Sequence, residues 1–261
     1  MELDLGGKVA VITGGNRGIG SAVALELAKE GVDLYLTARD GAELAKVAAA
    51  ISAQTGRKVL VQAADMRQPQ VAAEVVAAAL RAFSRIDILV NNAGATKRGD
   101  FLELTDEDWH DGFELKFHGY VRMARAAWPA LRQNQGSIIN ISGVGSRVGS
   151  ADFSIGGAVN VALLNLTKAL ADKARTEGIR VNAVNPGRIA TERLTRNIER
   201  MAKLDAVSNE EATRRHLATV GINRFGTPEE IGWICAYLAS PRAAFIHGSV
   251  IDIDGGETRA L

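Results

Sequence analysis

Cysteine is nearly absent: Cys235 is the one thiol in 261 residues. That excludes an internal disulfide and any multi-cysteine metal site, so no metal is expected. Charge of one sign is not in excess either, with 31 Lys and Arg against 30 Asp and Glu. A near-neutral chain carries no general nucleic-acid or membrane-surface footprint. No uninterrupted apolar run reaches the roughly 18 residues that a spanning helix needs. The opening M-E-L-D-L-G-G-K is acidic and short, unlike a signal or transit peptide, and the expectation is a cytoplasmic protein. Cys235 reads as a small apolar side chain inside a late helix.

What is present is an alternation. Short β-branched runs (Val9–Thr13, Asp33–Ala38, Lys58–Ala63, Ile86–Val90, Ser137–Ser142, Ile179–Val184, Ser249–Ile253) alternate with Ala/Leu-rich stretches of helical period. The helices are expected over Ile19–Lys29, Gly41–Gln54, Val71–Phe83, Thr105–Leu131, Ala151–Thr176 and Pro228–Leu238, the last with Thr227 as its cap. Continuously apolar strands imply a parallel sheet covered on both faces. The expected fold is therefore α/β: a Rossmann-type doubly wound parallel sheet of about seven strands. No linker or repeat divides residues 1–261, so a single domain is expected. The polar helical stretch 191–220, rich in arginine, reads either as a solvated helical pair or as a mobile flap over a substrate.

T-G-G-N-R-G-I-G (Thr13–Gly20) lies between the first strand and the first helix. Glycine there lets a phosphate approach main-chain N–H groups, and the helix N-terminus adds a positive dipole end. With N-N-A-G (Asn91–Gly94), Asp65 after the third strand and N-P-G-R-I-A-T (Asn185–Thr191), the chain resembles the short-chain dehydrogenase/reductase family over nearly its whole length. The resemblance implies an oxidoreductase holding a nicotinamide dinucleotide. Gly14, Asn16, Gly18, Ile19 and Gly20 would line the pyrophosphate, and Asp65 with Met66 the adenine. Asn91 and Gly94 would serve the ribose and helix packing, with Ala93 between them also in the cofactor-binding set, and Pro186, Gly187, Ile189 and Thr191 would lie at the nicotinamide. It also implies a small-molecule substrate and a homodimer or homotetramer. The choice of dinucleotide follows from charge. An acid ending the second strand would favour NAD(H), but Ala38 stands there, followed by Arg39, and Arg17 sits in the glycine loop. Two guanidinium forks suit a 2′-phosphate, so NADP(H) is expected over NAD(H), provided that Asp40 does not turn inward.

The reacting end departs from the family. Where the resemblance calls for serine, tyrosine, lysine and a helix asparagine, this sequence has Gly143, Gly156, Asn160 and Lys116. The three tyrosines, Tyr35, Tyr120 and Tyr237, fall on other elements. Lysine and asparagine have exchanged helices, and two glycines open space beside the nicotinamide. Gly156 and Gly157 inside a helix cost roughly 1 kcal/mol each relative to alanine, which hints at a steric reason. Lys116 is the first candidate for the lost proton donor, assisted by Asn160 and Ser142. His118, Asp152 and Ser154 are further candidates, the latter two also reading as helix caps. Three activities stay open: an NADP(H)-dependent oxidoreductase with a rebuilt site, an inactive dinucleotide-binding sensor or partner subunit, and a lyase or isomerase that retains its nucleotide.

Overall fold

A computed structural model describes residues 2–259. Seven parallel strands form one sheet in the order β3-β2-β1-β4-β5-β6-β7. They are β1 Val9–Thr13, β2 Asp33–Ala38, β3 Val59–Ala63, β4 Ile88–Asn91, β5 Ser137–Ile141, β6 Arg180–Pro186 and β7 Val250–Ile253. All of β1, β4 and β5 is buried, as the unbroken apolar runs require of strands covered on both faces.

One face carries α1 (Gly18–Lys29), α2 (Gly41–Thr55) and α9 (Pro228–Ala239), packed through Val23, Leu27, Leu44, Ile231 and Cys235. Cys235 is buried without a disulfide partner, and burial pushes its thiol pKa up. The other face carries α3 (Val71–Phe83), α5 (Gly119–Gln133) and α6 (Ser154–Ala174). On α3 the buried residues Val71, Ala72, Val75, Val76 and Ala79 form a single stripe at helical spacing. Thr227 heads α9 as expected, with its backbone N–H donating to Glu230 Oε2 at 2.7 Å. By length and mean hydropathy, 151–174 would also be able to cross a membrane. In this fold one face of it packs beside β6, with Ile155, Val159 and Leu163 buried.

The expected helix over Thr105–Leu131 is not one α-helix. It runs as α4 (Asp106–Gly112), a wider π turn over Phe113–His118, and α5. The residues keep an unbroken helical pattern, so periodicity alone does not reveal the extra residue in that turn. Residues 191–220 form α7 (Glu192–Leu204) and α8 (Asn209–Val220), which enclose a small core of Ile198, Ala202 and Ala212.

Candidate active site

The chain reverses its direction of travel across the sheet between β1 and β4, and a cleft opens at the carboxyl ends of such a pair. Thr13 ties the two loops together: its hydroxyl accepts from the Asn92 and Ala93 N–H groups, each at 3.0 Å. Gly14 and Gly18 hold φ of +69° and +56°, and a Cβ on Gly20 would meet the Gly14 carbonyl at 2.1 Å. This turn therefore admits only glycine at its critical points. Asn16 lies within it. Ile19 follows in the first turn of α1, which has neither a side-chain cap nor an acid. Its free N–H groups point out of the helix end, which suits a phosphate.

Arg17 and Arg39 are exposed, and neither has an acid within ion-pair distance among the described residues. Asp40 turns away to cap α2, its Oδ1 accepting from the Glu43 N–H at 3.0 Å. The neighbouring carboxylate that would oppose a 2′-phosphate is thus engaged elsewhere. Asp65 sits past β3 with Oδ1 taken by the Arg67 N–H at 3.1 Å, and Met66 is buried beneath Gly119. Pro186 ends β6, and the Gly187 N–H donates to the Ile253 carbonyl at 3.0 Å. Ile189 bridges to Gly226, and the Thr191 methyl lies 3.3 Å from where a Cβ on Gly18 would stand. The two banks of the cleft meet there.

One cofactor expectation is narrowed to the main chain. The Asn91 side chain does not face the cleft. It is fully buried and donates to Asn140 Oδ1 at 3.0 Å, while Asn140 donates to Thr167 Oγ1 at 3.0 Å. Any ribose contact from Asn91 falls to its main chain.

Lys116 and Asn160 do meet. Lys116 Nζ donates to Asn160 Oδ1 at 2.7 Å and to the Ser142 carbonyl at 2.9 Å. The lysine stem passes Gly94 so closely that a Cβ there would lie 2.8 Å from Lys116 Cδ. Both acceptors are neutral, and no carboxylate offsets the charge. Desolvation first, and the Arg193 charge second, lower the Lys116 pKa to about 7. Lys116 lies within the π turn.

Ser142 acts otherwise than expected. Its hydroxyl donates to the Asn160 carbonyl at 3.1 Å and is buried, so it braces helix α6 and cannot reach a ligand. Gly143 is held by its N–H donating to Asn185 Oδ1 at 2.8 Å. Asn185 also accepts from Ser146 Oγ at 3.1 Å and donates to Asp252 Oδ1 at 2.7 Å. Sequence reasoning passed over Asn185 as a mere part of its motif.

The space at Gly156 is filled. A Cβ at 156 would lie 2.1 Å from the Phe153 ring, and one at 145 would lie 2.9 Å from the same ring. Phe153 is thus seated against two glycines, with the Arg98 guanidinium 3.9 Å from its ring centre. Arg98 also pairs with Asp152 at 3.1 Å. Of the glycines read as opening space for a bulkier ligand or a group from elsewhere, Gly156 makes room for this phenylalanine, while a Cβ on Gly157 would meet the Gly145 carbonyl at 3.2 Å. The paired glycines at 145 and 156, with an aromatic one turn before the second, were the available signal.

The other candidate donors fall away. Asp152 is committed to Arg98 and Ser150, and Ser154 caps nothing: it begins α6 with a buried, unpartnered hydroxyl. His118 is exposed on the helix surface, edge-on to Phe117. His247 is structural, accepting from the Val181 N–H at 3.2 Å and meeting the Ala171 carbonyl at 2.8 Å. Tyr120 is buried with its hydroxyl donating to the Ile141 carbonyl at 3.0 Å, and burial pushes its pKa up.

Comparison with known proteins places this geometry. A family profile described as enoyl-(acyl carrier protein) reductase matches residues 14–258. An uncharacterised oxidoreductase of Mycobacterium tuberculosis is 36% identical over 96% of this chain and 92% of its own length. An acetoacetyl-CoA reductase of Shinella zoogloeoides is 33% identical over 96% of this chain and 98% of its own. Among solved structures, L-sorbose reductase from Gluconobacter frateurii, complexed with NADPH and L-sorbose, superposes with a TM-score of 0.96 at 33% identity, covering 100% of both chains.

Proposed function

The chain belongs to the short-chain dehydrogenase/reductase family, and from that membership we propose that it binds NADP(H) and reduces a small carbonyl compound with Lys116 as proton donor. The observation that carries this reading is the Lys116 amine, held by Asn160 Oδ1 and the Ser142 carbonyl beside the cleft. The coenzyme fits the residues present: an uncapped α1 N-terminus for the diphosphate, and Arg17 and Arg39 without acid partners for a 2′-phosphate. Gly14, Asn16, Gly18, Ile19 and Gly20 would line the diphosphate, Asp65 and Met66 the adenine, and Ala93 and Gly94 the ribose. Pro186, Gly187, Ile189 and Thr191 would border the nicotinamide. When bound, the reduced nicotinamide supplies the hydride. NAD(H) would bind less well, because both guanidinium forks would lack a phosphate.

The two carbonyl acceptors fix two of the three Lys116 N–H directions. The third proton is the one available to a substrate oxygen, and the neutral amine keeps both anchoring bonds after giving it up. A pKa near 7 places the donor close to ordinary working pH, where acid–base catalysis is most efficient. Asn160 and the Ser142 carbonyl position the amine and touch no substrate. Residues 191–220 form the flap over the substrate in this reading, and the active species is a homodimer or homotetramer. Val161 and Trp233, both apolar and 50% and 58% exposed, support an assembly through α6 and α9.

The test is calorimetric binding of NADPH and NADH, followed by turnover on a panel of ketones and aldehydes. NADPH binding tighter than NADH by tenfold or more, with turnover lost in Lys116→Met, is the expected result. A second reading is a dinucleotide-binding protein without catalysis, favoured by the Phe153 ring filling the tyrosine space. Its mark is tight NADPH binding with no turnover on the whole panel.

A further inference from the structure

Arg193 behaves unlike the arginines around it. On α7 and α8, Arg196 pairs with Glu192 at 3.4 Å, Arg214 with Glu211 at 2.8 Å and Arg215 with Glu211 at 2.7 Å. Each of those pairs lies along its own helix. Arg193 leaves its helix, spans the cleft and donates from Nη2 to the Gly94 carbonyl at 2.9 Å. On its other side Gly94 backs onto the Lys116 stem. Arg17 stands on the glycine-loop bank, close enough for its charge to act on Arg193.

Arg17, Lys116 and Arg193 therefore converge from three separate elements. None of them has an acid within ion-pair distance among the described residues. Arg98 adds its charge nearby, although Asp152 already pairs with it. A guanidinium has five N–H donors, and a single neutral carbonyl leaves most of the Arg193 fork unused. Gathering like charges without counter-charge works against the folded state, and a cleft lined by one sign of charge concentrates ions of the other.

We infer that Arg193 is an anion-recognition residue: its fork exchanges the Gly94 carbonyl for a phosphate or carboxylate of a ligand in the cleft, and so seats that ligand against Lys116. The inference rests on the proposed coenzyme-dependent reading of this cleft. Two sources carry such a group, the diphosphate of the coenzyme and an acidic group on the substrate. The proton affinities run the same way. Desolvation and the charges of Arg17, Arg196 and Arg98 hold the Arg193 pKa below its usual value, and Arg193 in turn helps to lower that of Lys116. An anion between the two heads reverses that second effect. Ligand arrival then raises the proton affinity of Lys116 at the moment a proton donor is needed.

The test uses the full-length chain, Arg193→Met and Arg193→Lys, with thermal melts to confirm that each is folded. In one arm NADPH alone is titrated by calorimetry. In the other, oxalate and inorganic phosphate are titrated as probes against NADPH-saturated protein. The expected result is at least a tenfold loss of affinity in Arg193→Met, partly recovered in Arg193→Lys. Loss in the first arm assigns the coenzyme diphosphate, and loss in the second assigns a substrate anion. Equal affinities for wild type and Arg193→Met in both arms overturn the inference. A wild-type chain that takes up no NADPH overturns the coenzyme reading instead, and the probes titrated without coenzyme then decide the role of Arg193 separately.

Discussion

The two banks of the cleft are built from different material. The bank under the glycine loop offers main-chain groups: the free N–H groups of α1, the turn fixed by Gly14 and Gly20, and the Gly187 loop held to β7. The bank formed by α6 and the π turn offers side chains: Lys116, Asn160 and Phe153. Main-chain recognition survives substitution provided that the backbone can still make the turn. Side-chain chemistry is rewritten whenever a residue changes. Substitutions on the side-chain bank can therefore alter the chemistry while the main-chain bank keeps its turn.

The sharpest way to break this contrast is to remove the amine. Lys116→Met is expected to lower turnover by about 10²–10⁴, the usual worth of a general acid, in a steady-state assay with NADPH. A variant that retains full turnover would move the chemistry to another group. On the main-chain bank the proposed specificity side chains are Arg17 and Arg39. Each changed to alanine should weaken NADPH by about tenfold and leave NADH within about threefold, as expected for the loss of a charged hydrogen bond of about 1.5 kcal/mol. Equal losses for both coenzymes would assign the arginines to the shared diphosphate.

The pH dependence gives a third comparison. Carbonyl reduction should be level below about pH 7 and fall about tenfold per unit above it, because the Lys116 pKa is lowered to about 7 and its proton is then lost. The same depression affects stability. The unfolded lysine keeps its proton up to about 10.5, so the folded state gains stability as pH rises from about 7 to that value, and carries the full penalty below 7. Urea titrations at pH 6 and pH 9, in wild type and Lys116→Met, would isolate that contribution.

The smallest expected effect tests whether the tyrosine space is filled. Gly156→Tyr alone should add no activity, since its Cβ collides with the Phe153 ring. Gly156→Tyr with Phe153→Ala should exceed the single variant several-fold in ketone reduction. A single variant as active as the double would show that the ring yields easily.

Much of the scaffold was legible in the sequence. The Val71–Phe83 helix has its expected limits, and the unbroken apolar strands announced a covered parallel sheet. The meeting of Lys116 and Asn160 was also legible, because the resemblance sets those two positions side by side on adjacent helices. Side-chain direction was not. Asn91 and Ser142 belong to recognisable motifs, yet both point into the fold, where Asn91 donates to Asn140 and Ser142 to the Asn160 carbonyl. The π turn was hidden because one extra residue in a coil does not alter the pattern of apolar positions. The seat of Phe153 depends on Gly145 and Gly156 converging from separate elements, which spacing along the chain does not disclose.

Cys235 has a practical consequence. It is the one thiol of the chain and lies sealed between α9 and the sheet. Maleimide dyes attack exposed thiolates, so the natural chain should stay dark while folded. A cysteine engineered at the outer surface of α7 would then be the single labelling point, and its fluorescence would track that helix as coenzyme is added, with no background mutation required.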